Sequence, residues 1–210
     1  MKRLFLILAL AVLPLCVHAI GVDDGLRLSA DPQDDNEQTS FNIKTNLAYD
    51  ALMVPNIGVD FALGTNWSVG ANVMYAWWDN KEKYKYWRVF GGDLNFRYWF
   101  GGNTGFRGHH LGFYGQVLTF DLENGNRGIM IGSPGYHVWK KPMYGAGFEY
   151  GYSLRLHRHW NIDFTLGLGY INGDAYKYAP AEEGGFQITR RKTVNWFGPT
   201  KAEISISYHL

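Results

Sequence analysis

The stretch that decides the fold is Met143 to Asn172, MYGAGFEYGYSLRLHRHWNIDFTLGLGYIN. It reads as two strands joined by a short polar turn, because apolar residues alternate with small or polar ones at a period of two. In the first strand Tyr144 and Phe148 share one face, while Glu149 and Arg155 share the other. The alternation holds for about ten residues per strand, the length that crosses a bilayer at a tilt. The hairpin therefore poses one question: does its apolar face meet lipid or a soluble core?

The composition of the chain narrows the class of protein. Its 210 residues suit one domain, its formal net charge is +1, and 17% of its residues are aromatic. A near-neutral chain lacks the basic surface that nucleic acid requires, so no nucleic-acid partner is expected. Beyond the N-terminus no run of about 18 apolar residues occurs, which excludes a helical membrane protein.

The N-terminal region is typical of a targeting sequence and a linker. Residues 1–19 begin with a basic pair, continue with a short apolar core and end at Val17-His18-Ala19, a signal-peptide cleavage site of the A-x-A kind. The single cysteine, Cys16, falls inside this segment, so no disulfide is expected in the mature chain; lipidation of Cys16 is the alternative. Residues 20–40 carry six acidic side chains and no apolar period, which predicts an acidic disordered linker before a domain at 41–210.

The same alternation recurs from Phe41 onward and predicts eight strands. A bulge is expected in the fifth, because Gln116 falls in register with apolar neighbours. The strands are expected at Phe41–Ala51, Ile57–Leu63, Trp67–Trp78, Tyr86–Phe100, Leu111–Leu122, the two arms of the hairpin above, and Thr200–Leu210. An even strand number, with short connections at one end and long ones at the other, is typical of bacterial outer-membrane barrels. The sequence therefore predicts an all-β fold, an eight-stranded antiparallel transmembrane β-barrel in the outer membrane of a Gram-negative bacterium.

Several blocks of this region also carry a family resemblance. They include KTNLAYDALMVPNIGVDFALG from Lys44, YAWWDNKEKYKYWRVFGGDLNFRYWFG from Tyr75, NIDFTLGLGY from Asn161 and WFGPTKAEIS from Trp196. These blocks resemble an uncharacterised outer-membrane β-barrel family of the Bacteroidota, catalogued as a domain of unknown function. The resemblance implies a small barrel, often encoded near fimbrial-assembly genes. It implies no activity, cofactor or catalytic residue.

The polar face of the strands is expected to line the barrel, because eight strands enclose only enough space for side chains. Six acids and four bases nearly cancel there, so we expect a paired, hydrogen-bonded plug. An ion path or proton relay is the alternative. The expected interior charges are Lys44, Asp50, Asp60, Asp93, Arg97, Glu149, Arg155, Asp163, Lys201 and Glu203.

Aromatic and histidine residues cluster near the strand ends. Aromatics at both ends of the apolar face are typical of interfacial girdles, and they include Trp67, Trp99, Trp160, Trp77, Trp78 and Trp87. A ligand-stacking role for the Trp77-Trp78 pair is the alternative. His109, His110, His157 and His159 fall in two connections, where imidazoles are able to bind a transition metal if the connections meet. Polar turn residues need no such explanation, and no metal or cofactor is predicted.

The long connections 123–142 and 173–198 are the expected working surface, exposed outside the cell. Basic and aromatic side chains there are expected to bind lipopolysaccharide phosphates, a glycan, or a surface or fimbrial-assembly protein. The alternative is that the basic residues only hold the barrel in position at an anionic leaflet. The candidate residues are Arg127, His137, Trp139, Lys140, Lys141, Tyr176, Arg190, Arg191, Lys192 and Trp196.

These features predict a non-enzymatic protein that binds, anchors or supports something at the cell surface. One alternative is an enzyme that modifies lipid A or phospholipid, in which His137 acts with Ser133 and with Glu123 or Glu182. A second alternative is a secreted lipocalin-like carrier, which requires an apolar interior and a polar exterior.

Overall fold

A computed structural model of the chain describes residues 41–83, 85–101, 106–124, 128–131, 142–157, 159–180 and 186–210. The signal peptide and the acidic linker predicted at 1–40 lie outside the described residues. The strands are β1 Phe41–Asn46, β2 Asn56–Leu63, β3 Trp67–Asn80, β4 Lys85–Trp99, β5 Gly108–Asn124, β6 Gly128–Ile131, β7 Met143–His157, β8 Trp160–Pro180 and β9 Phe186–His209. A short helix, α1 (Leu47–Ala51), follows β1, and a 3-10 turn, Lys81–Lys83, follows β3.

Eight of these strands close into an antiparallel ring in the order β1, β2, β3, β4, β5, β7, β8, β9. The ring closes where β1 pairs with β9, so that Asn42 lies opposite His209. The prediction of an all-β chain with eight ring strands is thereby confirmed. We call the end of the ring that holds Phe41 and His209 the base.

The opposite end carries a sheet that rises above the rest of the ring. There β6 takes the place of β7 between β5 and β8, and β8 and β9 run as a hairpin of 21 and 24 residues. We call this part the extension; it comprises residues 76–80, 85–90, 118–124, 128–131, 171–180 and 186–196. The connections predicted at 123–142 and 173–198 are thus largely strand in the residues that the structure describes.

The predictions for β1 and β5 are wrong in one respect each. The first strand ends at Asn46 rather than at Ala51, because the side chain of Asn46 accepts a hydrogen bond from the backbone N–H of Ala48 (3.0 Å) and caps α1. The fifth strand has no bulge, since its register with β4 and β7 runs without a shift. Gln116 simply shares the inner face with Tyr114.

Side-chain exposure follows the predicted alternation, with the polar side inward. On β7, Phe148 is 72% exposed and its neighbour Glu149 is 1% exposed. On β4, Leu94 is 67% exposed while Arg97 is 1% exposed. Trp99, which the sequence places in an outer girdle, instead lies inside and donates its indole N–H to Ser68 Oγ at 2.8 Å. The ring therefore buries charge and exposes apolar side chains.

Candidate functional site

The interior of the ring holds a network of ion pairs centred on Arg97. Its guanidinium contacts carboxylates from three other strands: Glu149 at 2.5 Å, Glu203 at 3.5 Å and Asp60 at 3.9 Å. All four side chains are buried. A buried charge without a partner costs several kcal/mol, so each of these groups requires the others.

Two lysines extend the network across the interior. Lys201 Nζ lies 2.7 Å from Asp93, 2.9 Å from Glu149 and 3.4 Å from Glu203. Lys44 Nζ lies 3.1 Å from Asp60 and 3.5 Å from Glu203. Since Glu203 contacts both lysines as well as Arg97, the pairs form one connected cluster.

Three of the predicted interior charges, Asp50, Arg155 and Asp163, stand apart from this cluster. Asp50 belongs to the exposed face of α1, where it accepts hydrogen bonds from Thr45 Oγ1 (2.8 Å) and Asn56 Nδ2 (2.8 Å). The chain turns into a helix before Asp50, which removes it from the inward register of β1. Arg155 lies near the base, next to the register shift that separates it from His157.

A second polar group lies below the network: Asp163 was predicted to face inward, but its partner His110 was not. Asp163 accepts from Thr165 Oγ1 at 2.6 Å and lies 2.8 Å from Nε2 of the fully buried His110. His109 points to the other side of β5, where Nδ1 lies 2.7 Å from the Tyr150 hydroxyl. The two histidines therefore do not converge, and in the described part of the chain no three metal-ligating side chains are grouped closely enough to hold an ion.

Aromatic rings fill the base. Phe106 is 1% exposed and lies between Trp99 and His209, with ring centroids 5.8 Å from each. Its backbone has φ +47, a left-handed conformation that is uncommon outside glycine, and its carbonyl accepts from Asn161 Nδ2 at 2.9 Å. The connection after β4 thus places a ring inside the base.

Helix α1 covers the other end of the network. Tyr49 lines a cavity of about 20 Å³ together with Asp93, Lys201 and Glu203, a space that suits one water molecule. Burial, followed by the charges of Glu203 and Asp93, raises the pKa of the Tyr49 phenol to about 12. The middle of the ring is therefore filled with side chains from Tyr49 down to Phe106.

The polarity of the wall reverses in the extension. On its inner face Met143, at the top of β7, forms an apolar cluster with Ile171 and Ala175, against which Phe120 and Val194 pack. The outer face is polar and paired. Its ion pairs and hydrogen bonds are Arg88–Asp79 (2.8 Å), Arg191–Asp174 (2.8 Å), Thr193–Asp174 (3.0 Å) and Tyr178–Asp121. The inner face is thus apolar from Met143 up to Ala175, above a ring interior that is charged, while the outer face carries paired polar groups.

Two outer-face groups of the extension have shifted acidities. Burial, followed by the hydrogen bond to Asp121, raises the pKa of the Tyr178 hydroxyl. Burial, followed by the charge of Asp121, raises the pKa of the Glu123 carboxyl. The phenol is therefore a hydrogen-bond donor rather than a proton source.

The predicted surface residues divide into three groups. Tyr176 and Arg191 lie opposite one another on the outer face, where the guanidinium stacks over the ring at 5.5 Å. Arg190, Lys192 and Trp196 alternate with Arg191 and lie on the inner face of the same hairpin. The remaining candidates, Arg127, His137, Trp139, Lys140 and Lys141, lie outside the described residues.

Three tryptophans at the facing ends of β3 and β4 also belong to the extension: Trp77, Trp78 and Trp87. Trp78 pairs with Trp87 on the inner face, while Trp77 lies on the outer face under Arg88 at 4.8 Å. Trp78 donates to the Met53 carbonyl at 2.8 Å. Trp77 and Trp78 face opposite sides because they are consecutive residues of one strand.

A comparison with protein-family models identifies the family of the chain. Residues 26–210 match the model described as Protein of unknown function (DUF3575). The chain belongs to this family. The match confirms the prediction of a domain of unknown function, and membership of DUF3575 assigns no activity. No curated protein and no solved structure matches the chain.

Among the described residues of the DUF3575 chain, no helix has the length and hydropathy to cross a membrane.

Proposed function

We propose that the protein is a closed, non-enzymatic β-barrel of the outer membrane that holds the extension at the cell surface as a binding platform. The observation that carries this proposal is the inverted polarity of the ring. Leu94, Phe113, Phe148 and Leu168 are more than half exposed, whereas Arg97 and Glu149 are buried. In water this distribution leaves apolar side chains hydrated and loses the stabilisation that their burial would give. In a bilayer the apolar side chains contact lipid, while the charged ones pair inside the ring.

The dimensions of the apolar band support the same placement. On β8 the exposed apolar face runs from Trp160 to Tyr170. Ten residues at about 3.3 Å, tilted by about 40°, span about 25 Å, which is the height of the apolar band of outer-membrane barrels. Beyond Tyr170 the outer face becomes polar, as expected for strands that leave the bilayer.

The packing of the interior supports a closed barrel rather than a pore. Arg97, Lys201 and Lys44 pair with carboxylates at mid-height, and Phe106 and Tyr49 lie below and above them. An apolar carrier of the lipocalin kind requires the opposite lining, so we do not favour that function. The enzymatic alternative rests on His137 and Ser133, which lie outside the described residues, and nothing in the described geometry favours it.

The proposal is tested by fractionation and gel mobility of the mature protein. An outer-membrane barrel is expected in the detergent-soluble outer-membrane fraction, and it migrates differently before and after boiling. Surface biotinylation of a cysteine placed at exposed Gln187 is expected in intact cells, and a cysteine at Thr65, in a base turn, is expected to stay unlabelled. A mature chain that stays soluble without detergent contradicts the proposal.

The partner class is tested separately by crosslinking from Gln187 in native membranes. Recovery of a surface or fimbrial-assembly protein supports a protein-binding platform. Recovery of lipopolysaccharide alone supports a lipid-facing role.

A further inference from the structure

The sheet of the extension ends in an open strand edge on β9. This strand pairs with β8 from Phe186 to Tyr208, but β1 pairs with it only from Ser205 to His209. Among the strands that the structure describes, none pairs with the second side of residues 186–204. In an antiparallel strand the backbone N–H and C=O groups of alternate residues point away from the paired neighbour. The free side of β9 therefore presents a row of backbone donors and acceptors to its surroundings.

Only the lower part of this free side is covered. There the backbone N–H of Ile204 donates to Asn46 Oδ1 at 3.4 Å, and Tyr49 of α1 shares a cavity with the residues next to Ile204. Higher up, every residue of 187–193 is exposed, whereas Tyr176 on the neighbouring strand β8 is 7% exposed. We call residues 187–196 the β9 edge. This edge is open to solvent in the described structure.

The opposite edge of the same sheet, on β3, is treated differently. The backbone N–H of Tyr75 donates to the Pro55 carbonyl at 3.0 Å, and the indole of Trp78 donates to the Met53 carbonyl at 2.8 Å. The link between α1 and β2 thus lies against β3 and covers it. Proteins usually cover or pair a long strand edge, because a bare one is a template for another strand. The β9 edge is therefore the side of the extension that is suited to receive a strand.

Charge on the β9 edge indicates which kind of strand it receives. Arg191 lies on the outer face and pairs with Asp174 at 2.8 Å. Its neighbours Arg190 and Lys192 lie on the inner face and make no ion pair with any residue that the structure describes. Arg190 also lies opposite Lys177, and like charges placed opposite one another destabilise a sheet. Acidic side chains on the inner face of an added strand would lie beside these cations and offset that repulsion.

The same charges disfavour a second copy of this chain as the added strand. Two copies related by a two-fold axis pair their edges in antiparallel fashion. Because Arg191 and Lys192 lie at the middle of the β9 edge, such a pair would place the two basic runs opposite each other. Basic residues on an edge strand are a known device against self-pairing. The charge pattern therefore favours a different, acidic chain.

We propose that the β9 edge binds an extended acidic segment of a partner protein by strand addition. The backbone of the segment pairs with residues 187–196, and its inward side chains are acidic, beside Arg190 and Lys192. Its outward side chains are apolar and pack beside Ile188, which is 50% exposed. Main-chain hydrogen bonds supply affinity in this mode, and alternate side chains supply specificity. The inference names the partner chemistry of the binding platform and so rests on the proposed function.

Calorimetry on the full mature protein in neutral detergent tests strand addition. The probe is a peptide of about ten residues in which glutamate and valine alternate. It is compared with a version that carries lysine in place of glutamate, and with two versions N-methylated on either every glutamate or every valine. Only alternate residues of an added strand donate to the edge. We therefore expect one N-methylated version to bind like the parent, and the other N-methylated version and the lysine version to bind at least about tenfold more weakly.

Equal binding of the two N-methylated peptides overturns strand addition, because it indicates attraction to charge without backbone pairing. Failure of the parent peptide to bind overturns the proposal as well. A crosslinked dimer joined through residues 187–196 in the absence of peptide also overturns it, since the edge then pairs with a second copy.

Adjacent arginines provide a matched control. Arg190→Gln and Arg191→Gln each remove one positive charge, but only the first alters the inner face. We expect Arg190→Gln and Lys192→Gln to weaken peptide binding about tenfold, and Arg191→Gln to change it by less than about twofold. Equal losses from the two arginine variants overturn the proposed arrangement, because they indicate a response to net charge alone.

Amide hydrogen exchange of the peptide complex reports the backbone directly. We expect the bound peptide to slow exchange at alternate residues of the β9 edge and to leave β6, which has strands on both sides, unchanged. Absence of slower exchange on the β9 edge in a complex that calorimetry detects overturns the site.

Fractionation of the same proteins separates the two proposals. If the wild type is heat-modifiable and resides in the outer membrane but does not bind the parent peptide, this inference alone fails. If the wild type is soluble without detergent, the proposed function fails, while peptide binding still reports whether the β9 edge accepts a strand.

Discussion

Arg97 donates from Nε to Oε1 of Glu149 across 2.5 Å, although 52 residues separate them in the chain. The pair joins β4 to β7 across the interior rather than within one hairpin. It also brings Arg97 within 3.5 Å of Glu203 on β9. A single guanidinium thus ties together strands from three parts of the ring.

Removing that guanidinium should lower the free energy of unfolding. Arg97→Met leaves Glu149 without its closest cation, and breaking a buried pair costs about 3–5 kcal/mol. We expect a loss of that size in the free energy of unfolding, measured by urea titration in lipid vesicles. Arg97→Met with Glu149→Gln should recover part of the loss, because the uncompensated carboxylate is gone. Arg191→Met, at an exposed pair, should leave the midpoint unchanged.

Substitution of Leu94 tests the proposed lipid contact. Leu94 lies in the middle of β4 and is 67% exposed. In water an exposed leucine tolerates arginine, but at the middle of a bilayer arginine costs about 2–4 kcal/mol. We therefore expect Leu94→Arg to lower the free energy of unfolding by that amount, and Gln187→Arg in the extension to have no effect. Equal stability of the two variants argues against a lipid-facing wall.

Because β7 and β8 approach closely at Gly147, we expect this position not to tolerate a larger side chain. A Cβ there would meet the Leu168 carbonyl oxygen at 2.4 Å and Gly169 Cα at 2.6 Å, both backbone atoms that cannot move aside alone. Gly147→Ala should cost about 1–3 kcal/mol through overpacking. At Gly101 an added Cβ meets no atom of a described residue within 4 Å, so Gly101→Ala is the matched control. The folded fraction on unboiled gels reports both.

The raised pKa of Glu123 predicts a pH dependence of the extension. Burial, followed by the charge of Asp121, raises this pKa. Protonated Glu123 therefore contributes to the free energy of unfolding below the ordinary glutamate pKa of about 4.3. That contribution is lost as the pH rises through the pKa of the folded state. Glu123→Gln should therefore slow amide hydrogen exchange in the extension at neutral pH. The difference from wild type should vanish below about pH 4. The variant leaves unchanged the neighbours on this face that also act on Glu123, which are Asp121, Arg88 and Tyr178.

Asp174→Asn is the control for that experiment. It removes the partner of Arg191 on the same outer face, so it should not slow exchange at any pH. Slower exchange in both variants points to a general loss of negative charge as the cause.

The sequence predicted the faces of the strands better than the ends of the strands. A period of two is a local property, and it correctly assigned Glu149 inward and Phe148 outward. Strand ends depend on neighbours, because β8 continues to Pro180 only where β9 and β6 supply hydrogen-bond partners. Asn46 illustrates the same limit. Its side chain caps a helix where alternation alone predicts five more strand residues.

The candidate binding surface was only partly predictable. Basic and aromatic composition identified Arg190, Arg191, Lys192 and Trp196 as a group. Composition did not separate Arg190 from Arg191, because 173–198 was expected to be a connection and not a strand, so alternation of faces was not applied there. The position of Lys177 opposite Arg190 was not predicted either, since that relation exists only across the strand pair.

By itself the sequence determined that the chain forms strands and which side chains of each strand share a face. Both follow from the two-residue repeat of the extended backbone, a property of consecutive residues. Only the tertiary structure decided which charges meet in the interior, that Phe106 and Tyr49 fill its two ends, and that the polarity of the wall reverses in the extension. Those relationships join residues far apart in the chain, and they arise when closure of the ring sets the register of every strand at once.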